Sequence, residues 1–417
     1  MPLPSEKEEV WRYTPIDGLS LDDFAPVTAP PGGTLGELAS AFVGGVVEDL
    51  GGVAASAVVR DGWPASFDRS RLSGGVVVAP LTEHDVGAGL VGRVLGGGDA
   101  LVRLNDAFHP DVLVVDVPAG VEVAQPIVVV HWCAGPTAGA DGGDAFTAPA
   151  PAAFPRTVVR LGRGASAQVV EVVAGFPGDV RGLVVPVTEL VADDAARLSY
   201  LSLQVLGTGA WHIARVAATA GRDATLQTFT AGLGAAYDRS RIDAAAVGPG
   251  ATTALRSLYL GTGGQVHDVR TLQDHAAPHT TSDLLCKGAV AGGSRSVYSG
   301  LIRVRRGAVR TNAFQTNHNL VLDERAHADS VPNLDIEEND VRCSHASTVG
   351  PVDEDQRYYL ESRGVRPEVA ERLIVLGFFE DIIDRAPVPA AIGRLRREVG
   401  ARLAEALGST WEAADRG

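Results

Sequence analysis

Gly164-Ala165, Asp194-Ala195, Asp223-Ala224 and Gly250-Ala251 punctuate residues 164 to 251. Each pair leads into a strand-like run, the first two being G-A-S-A-Q-V-V-E-V-V over Gly164–Val173 and D-A-A-R-L-S-Y-L-S-L over Asp194–Leu203. The alanines at 165, 195, 224 and 251 stand 30, 29 and 27 residues apart. Repeats of this length, built of strands and tight turns with no helical periodicity between them, read as a solenoid whose coils bury one another's apolar faces. The expected core is therefore a β-helix. A β-sandwich whose turns fall at similar spacing is the competing pattern.

Outward from that stretch the texture changes three times. Residues 1–73 read as an N-terminal mixed or helical cap, with a helix expected from Thr34 to Leu50 and a capping box from Thr34 to Glu37. From Gly74 short Val-rich runs such as V-L-V-V-D-V are broken by Gly, Pro, Asn and Asp, which is strand punctuation, so 74–350 is taken as the core. Within it, 134–153 (A-G-P-T-A-G-A-D-G-G-D-A-F-T-A-P-A-P-A-A) reads as a low-complexity loop with nothing to bury. Residues 351–417 read as a helical C-terminal domain. Pro367 suits a first helical turn, Val369, Leu373, Leu376 and Ile383 recur near helical spacing, and a second helix is expected from about Ala390 to Leu407.

Composition narrows the function classes. A net charge of -15 with no long basic run speaks against nucleic acid or an anionic membrane as the main partner. The only lysines, Lys7 and Lys287, stand in no phosphate-cradling G-x-x-x-x-G-K-[ST] loop, so an ATP-driven step would need another subunit. Three scattered cysteines, Cys133, Cys286 and Cys343, fit a reducing compartment better than a disulfide framework. The N-terminus has no signal-peptide pattern and the apolar runs are too short to span a bilayer, so a cytoplasmic protein is expected.

The best candidate for chemistry is V-R-C-S-H over Val341–His345. On a strand, residues i and i+2 leave on one face, so Cys343 and His345 project together. Thiolate and imidazole both bind iron or zinc, but two ligands do not close a site, and the rest would come from elsewhere or from another chain. The bland alternative makes Cys343 a small buried residue and His345 a strand histidine held by a carbonyl. Asp274-His275-x-x-x-His279 has a ligand-like spacing only on a helix, which Pro278 argues against, so it reads as structural. Gln315-Thr316-Asn317-His318-Asn319 reads as a turn or an asparagine ladder. The acidic run Asp335, Glu337, Glu338, Asp340 reads as a solvated turn rather than a cation site. No G-x-S-x-G, H-E-x-x-H or flavin fingerprint is present.

Together six motifs resemble the SufB/SufD family of the SUF iron–sulfur cluster assembly system. They are E-x-W-R-Y-T at Glu9–Thr14, L-N-D-A-F at Leu104–Phe108, Q-T-N-H-N-L at Gln315–Leu320, P-N-L-D-I at Pro332–Ile336, C-S-H-x-x-T-V-G at Cys343–Gly350 and Y-Y-L-x-S-R-G at Tyr358–Gly364. The cysteine-poor composition and the Thr348-Val349-Gly350 ending resemble the SufD branch rather than SufB, which remains the alternative. The resemblance implies a mainly β fold, a right-handed parallel β-helix with flanking helical domains. It implies a non-catalytic scaffold that pairs with a SufB-like paralogue and carries a SufC-like ABC ATPase on its C-terminal helices. It also implies a transient iron–sulfur cluster shared with the partner, to which His345, and with less support Cys343, would contribute. Ala346 stands where the family usually has Gly. A β-helix carbohydrate-active enzyme is the alternative from another class; it would need paired carboxylates on an open face.

Overall fold

The computed structural model describes residues 4–8, 11–84, 89–95, 99–135 and 149–407. The core is a parallel β-solenoid of about 7 turns, so the repeat spacing identified the architecture and the sandwich alternative falls. Each coil places one strand in each of two sheets. One sheet runs from Leu113–Val117 through Arg156–Leu161, Val187–Ala192, Ala210–Ala220, Tyr237–Ala246, Val266–His275 and Arg295–Val304 to His327–Ile336. The other runs from Ala55–Arg60 through Ile127–Cys133, Ser166–Gly175, Arg197–Leu206, Thr225–Gly232, Thr252–Gly261, Thr281–Val290 and Asn312–Val321 to Arg342–Gly350. Its first strand thus lies before residue 74, where the sequence texture changes. Pairing is parallel and unbroken in register, with Thr225 against Thr252 and Thr252 against Thr281.

The turn leading into the second sheet explains the repeat. Its left-handed residue is Gly164, Ala195, Asp223, Gly250, His279 and Arg310 in successive coils. The residue that follows each of these (Ala165, Ala196, Ala224, Ala251, Thr280, Thr311) is buried and small, because the chain turns the corner against the coil below. The second repeat is therefore Ala196, one residue beyond Ala195, which occupies the left-handed position with φ 58°. A non-Gly residue at positive φ is uncommon, and its recurrence here is the geometric signature of the coil. His279 is one such corner residue. His275 lies buried beside it, bonded to Thr280 Oγ1 at 2.7 Å and Ser282 Oγ at 2.8 Å, and burial lowers its pKa to about 4. Both histidines of that pair are structural.

Helices α1 (Glu37–Asp49), α2 (Ala100–Phe108), α3 (Glu354–Ser362), α4 (Pro367–Ile383) and α5 (Ile392–Leu407) flank the solenoid. The outer face of the second sheet is covered by α1, α4 and α5, through Val46, Val375, Phe379, Ile382, Leu395 and Leu403. Each such apolar side chain contributes about 1.5–3 kcal/mol by leaving water. Lys287 pins α4 down, donating to Phe378 O at 2.9 Å and pairing with Asp381 at 2.7 Å. The capping box expected at Thr34 and Glu37 does not form. Gly36 is the N-cap of α1, so Glu37 is its first residue rather than its third, and no side chain caps it.

Two motifs singled out in the sequence prove to be fasteners. Asn105 on α2 is fully buried and donates to Pro155 O and Val185 O, both at 2.8 Å, stitching the helix to the first sheet. Trp11 lies under the Arg239 guanidinium at 3.7 Å and Thr14 donates to Asp268 at 3.3 Å, which fastens the N-terminal segment to that sheet's outer face. Glu9 lies outside the described residues, as do 136–148 of the low-complexity segment. The end of that segment does bury: Ala150–Ala153 is a strand parallel to Phe24–Pro26, with Ala152 and Ala153 buried, because alanine fits the close approach of adjacent strands.

Candidate functional site at the open end of the solenoid

His327–Ile336 and Arg342–Gly350 are the last strands of the two sheets, each paired on one side only. The lumen therefore opens to solvent between them. In the coil below, Ala313, Gln315, Asn317 and Asn319 are buried and face inward. Parallel register sets Cys343, His345 and Ser347 over Ala313, Gln315 and Asn317, so the same alternation carries them onto the inward face of a coil that nothing covers. Cys343 and His345 thus share a face, as their spacing requires.

Their surroundings differ. Cys343 is half-buried against the cluster of Ile302, Val304, Ala308 and Ala313, and burial pushes its thiol up, partly offset by the Ala313 backbone N–H. His345 is exposed, and nothing among the described residues hydrogen-bonds its ring. Among the described residues no group of three or more His, Cys, Asp or Glu is placed to hold a metal ion. An imidazole on this rim can donate a lone pair outward, while Cys343 needs its proton removed against an unfavourable environment. Cys133 and Cys286 are buried in the core; burial raises the first and pushes the second up to about 12, so neither is poised as a nucleophile.

A column of polar side chains descends from the rim. Ser347 Oγ donates to Ser330 Oγ at 2.6 Å, Ser330 to Asn317 Oδ1 at 2.8 Å, Asn319 Nδ2 to the same oxygen at 2.7 Å, and the Tyr259 hydroxyl to Asn319 Oδ1. Of the two sequence alternatives for Q-T-N-H-N, the turn falls, and the asparagines do line up in the stacked coils, but bonded to side chains in the lumen rather than to turn backbones. The segment is strand, and its inward residues are the alternate ones, Gln315, Asn317 and Asn319. A period-two reading from Ala313 would have found it.

The rim around the mouth carries Leu334, Ile336 and Val349, each about two-fifths exposed. The acidic run forms the connecting turn and is stapled to the turn below. Glu337 and Glu338 accept from the Arg306 and Gly307 N–H groups, and Asp335 pairs with Arg303 at 3.1 Å. A second exposed apolar surface lies on α3 and α4, where Tyr358, Tyr359 and Leu373 are about half exposed or more; a shallow groove there is lined by Tyr359, Leu360 and Ile374.

The family model for the SUF system FeS cluster assembly SufBD core domain matches residues 145–378, more than half of the chain. Escherichia coli SufD, an iron–sulfur cluster assembly protein, is 27% identical over 401 residues, covering 96% of this chain and 89% of that protein. A SufBD family protein of Mycobacterium tuberculosis is 39% identical over 215 residues, 50% of this chain and 54% of its own length. Bacillus subtilis SufD is 31% identical over 206 residues, 48% of this chain and 46% of its own. The chain thus spans about half the length of the mycobacterial relative it matches.

Proposed function

Because the chain belongs to the SufB/SufD family of SUF iron–sulfur cluster assembly proteins, we propose that it is a SufD-like scaffold subunit whose open solenoid end docks a SufB-like paralogue. In that pairing His345 contributes one ligand to a cluster assembled between the two chains, and the cluster is cargo rather than a resident cofactor. The observation that carries the reading is the exposed, unpartnered His345 on a one-sided strand at an open lumen. Two ten- and nine-residue edge strands with free backbone groups and an apolar rim are an unfinished sheet, a surface that ordinarily seeks a partner strand. Two residues cannot close a tetrahedral iron site, so the remaining ligands come from the partner. No helix among the described residues is long and apolar enough to cross a membrane, and we take the complex to be cytoplasmic.

A SufC-like ABC ATPase is proposed to bind the C-terminal helices, since the chain has no phosphate loop of its own. The accessible surface is the outer side of α3 and α4, not the whole helical segment. Phe379, Leu395 and Leu403 are fully buried against the solenoid, so truncation at Pro351 would strip the core. Surface substitutions are the cleaner test. In co-expression pull-downs, Tyr358→Ala with Leu373→Glu should weaken ATPase capture by more than tenfold while the SufB-like partner is retained. Hot spots of this kind cost 2 kcal/mol or more, and tyrosine is enriched among them. Full ATPase recovery with the double variant would remove this surface from the account.

A further inference from the structure

Gln315 is 1% exposed, yet neither its Nε2 nor its Oε1 has a hydrogen-bond partner. Buried amides are nearly always paired, and leaving both ends of one unpaired is costly. The fold makes room for this one. A Cβ at Gly300, across the lumen, would stand 2.6 Å from Gln315 Nε2 and 2.7 Å from its Cδ, and closer still to the Tyr298 hydroxyl, so the missing side chain leaves room for both. Glycine inside a strand is itself unfavourable and commonly marks a close approach. Gln315 pairs in register with His345, and Gly300 with Pro332, so the last coil lies over the amide and places His345 at the register position next to Gln315 on the same inward face. One coil therefore holds a buried donor and acceptor without partners beneath a ring that also has none.

We propose that Gln315 is a positioning residue for His345: its Oε1 accepts the N–H of one imidazole nitrogen, leaving the other nitrogen's lone pair directed out of the lumen. Metal-binding histidines ordinarily give their second N–H to such an acceptor, which fixes tautomer and ring orientation. Gln315 carries a buried unpaired acceptor in register with this residue. The inference rests on the proposed role of His345, and its test does not depend on that role.

The test uses the full chain labelled with 15N in its histidines, with the His345 ring signals identified by their loss in His345→Ala. In the natural chain the ring should hold one neutral tautomer, and in Gln315→Met it should relax to the mixture of a free imidazole. Gln315→Glu keeps the acceptor and should keep the single tautomer. On the co-purified complex, Gln315→Met should slow cluster accumulation about 10- to 100-fold, and Gln315→Glu should restore it. Ring-nitrogen shifts that match in the natural chain and Gln315→Met would overturn the proposal. If the tautomer follows Gln315 but His345→Ala complexes still assemble clusters, the positioning stands and the functional reading of His345 falls.

Discussion

Complexes carrying His345→Ala should keep their subunits and their melting temperature while losing at least nine-tenths of their visible cluster absorbance. The structural cost should be small because the ring is exposed and bonded to nothing among the described residues; a substitution at such a position changes stability by about 1 kcal/mol or less. The chemical cost should be large because alanine has no lone pair to offer iron, whereas an imidazole has one near neutral pH. Cys343→Ser is the matched control. Cys343 packs on Ile302 and Ala313 and its thiol is held protonated by burial, so assembly should survive the change. Failure of both variants would make the cysteine a ligand too. Normal cluster content in the His345→Ala complex would end the proposed role.

Glu171→Leu should destabilise the chain by about 3–5 kcal/mol at neutral pH, the range for removing one partner from a buried charged network. Inside the lumen the Glu171 carboxylate accepts from His131 Nε2 at 2.6 Å, from Thr157 and Thr188 hydroxyls at 2.8 Å each, and from the Tyr200 hydroxyl. Desolvation by itself would raise its pKa, but these bonds outweigh it and lower the pKa from 4.5 to about 2. A depressed carboxylate pKa contributes stability that is present above the unfolded value and lost as pH falls through the folded one. The gap in stability between the natural chain and Glu171→Leu should therefore be constant above about pH 5 and narrow between pH 4.5 and 2. Chemical denaturation across that window measures it, and a gap that widened on acidification would contradict the assignment.

The solenoid was legible because its coil leaves a periodic mark. A left-handed corner followed by a small buried residue appears in sequence as Gly-Ala or Asp-Ala at Gly164, Asp223 and Gly250; in the Asp194-Ala195 pair the corner is Ala195, one residue later than in the others, and His279-Thr280 and Arg310-Thr311 use other residues at the same corner. His345 and Cys343 were legible through period-two alternation, which holds in any strand. Exposure was not legible, because it depends on which coil is last and on nothing local to C-S-H. The inward column of Gln315, Asn317, Ser330 and Ser347 was hidden for a related reason. Polar residues cannot be told from turn residues by type, and these face a lumen lined elsewhere mainly by Val, Leu and Ala, the Glu171 network apart. The C-terminal helices were legible as helices, but their apolar sides divide between the solenoid and solvent. That division is set by the outer face of the second sheet, where Leu258 and Leu285 meet Val375 and Phe379.

If this chain supplies a nitrogen ligand to a cluster shared with its partner, that nitrogen is visible to pulsed electron paramagnetic resonance. Only this chain would be labelled with 15N-histidine, the complex rebuilt with unlabelled partners, and the cluster reduced to a paramagnetic state. Ligation by His345 should give a strong coupling to one 15N nucleus that replaces a 14N coupling seen without the label. A cluster that forms normally on the rebuilt complex and shows no coupling to any nitrogen of this chain would contradict it.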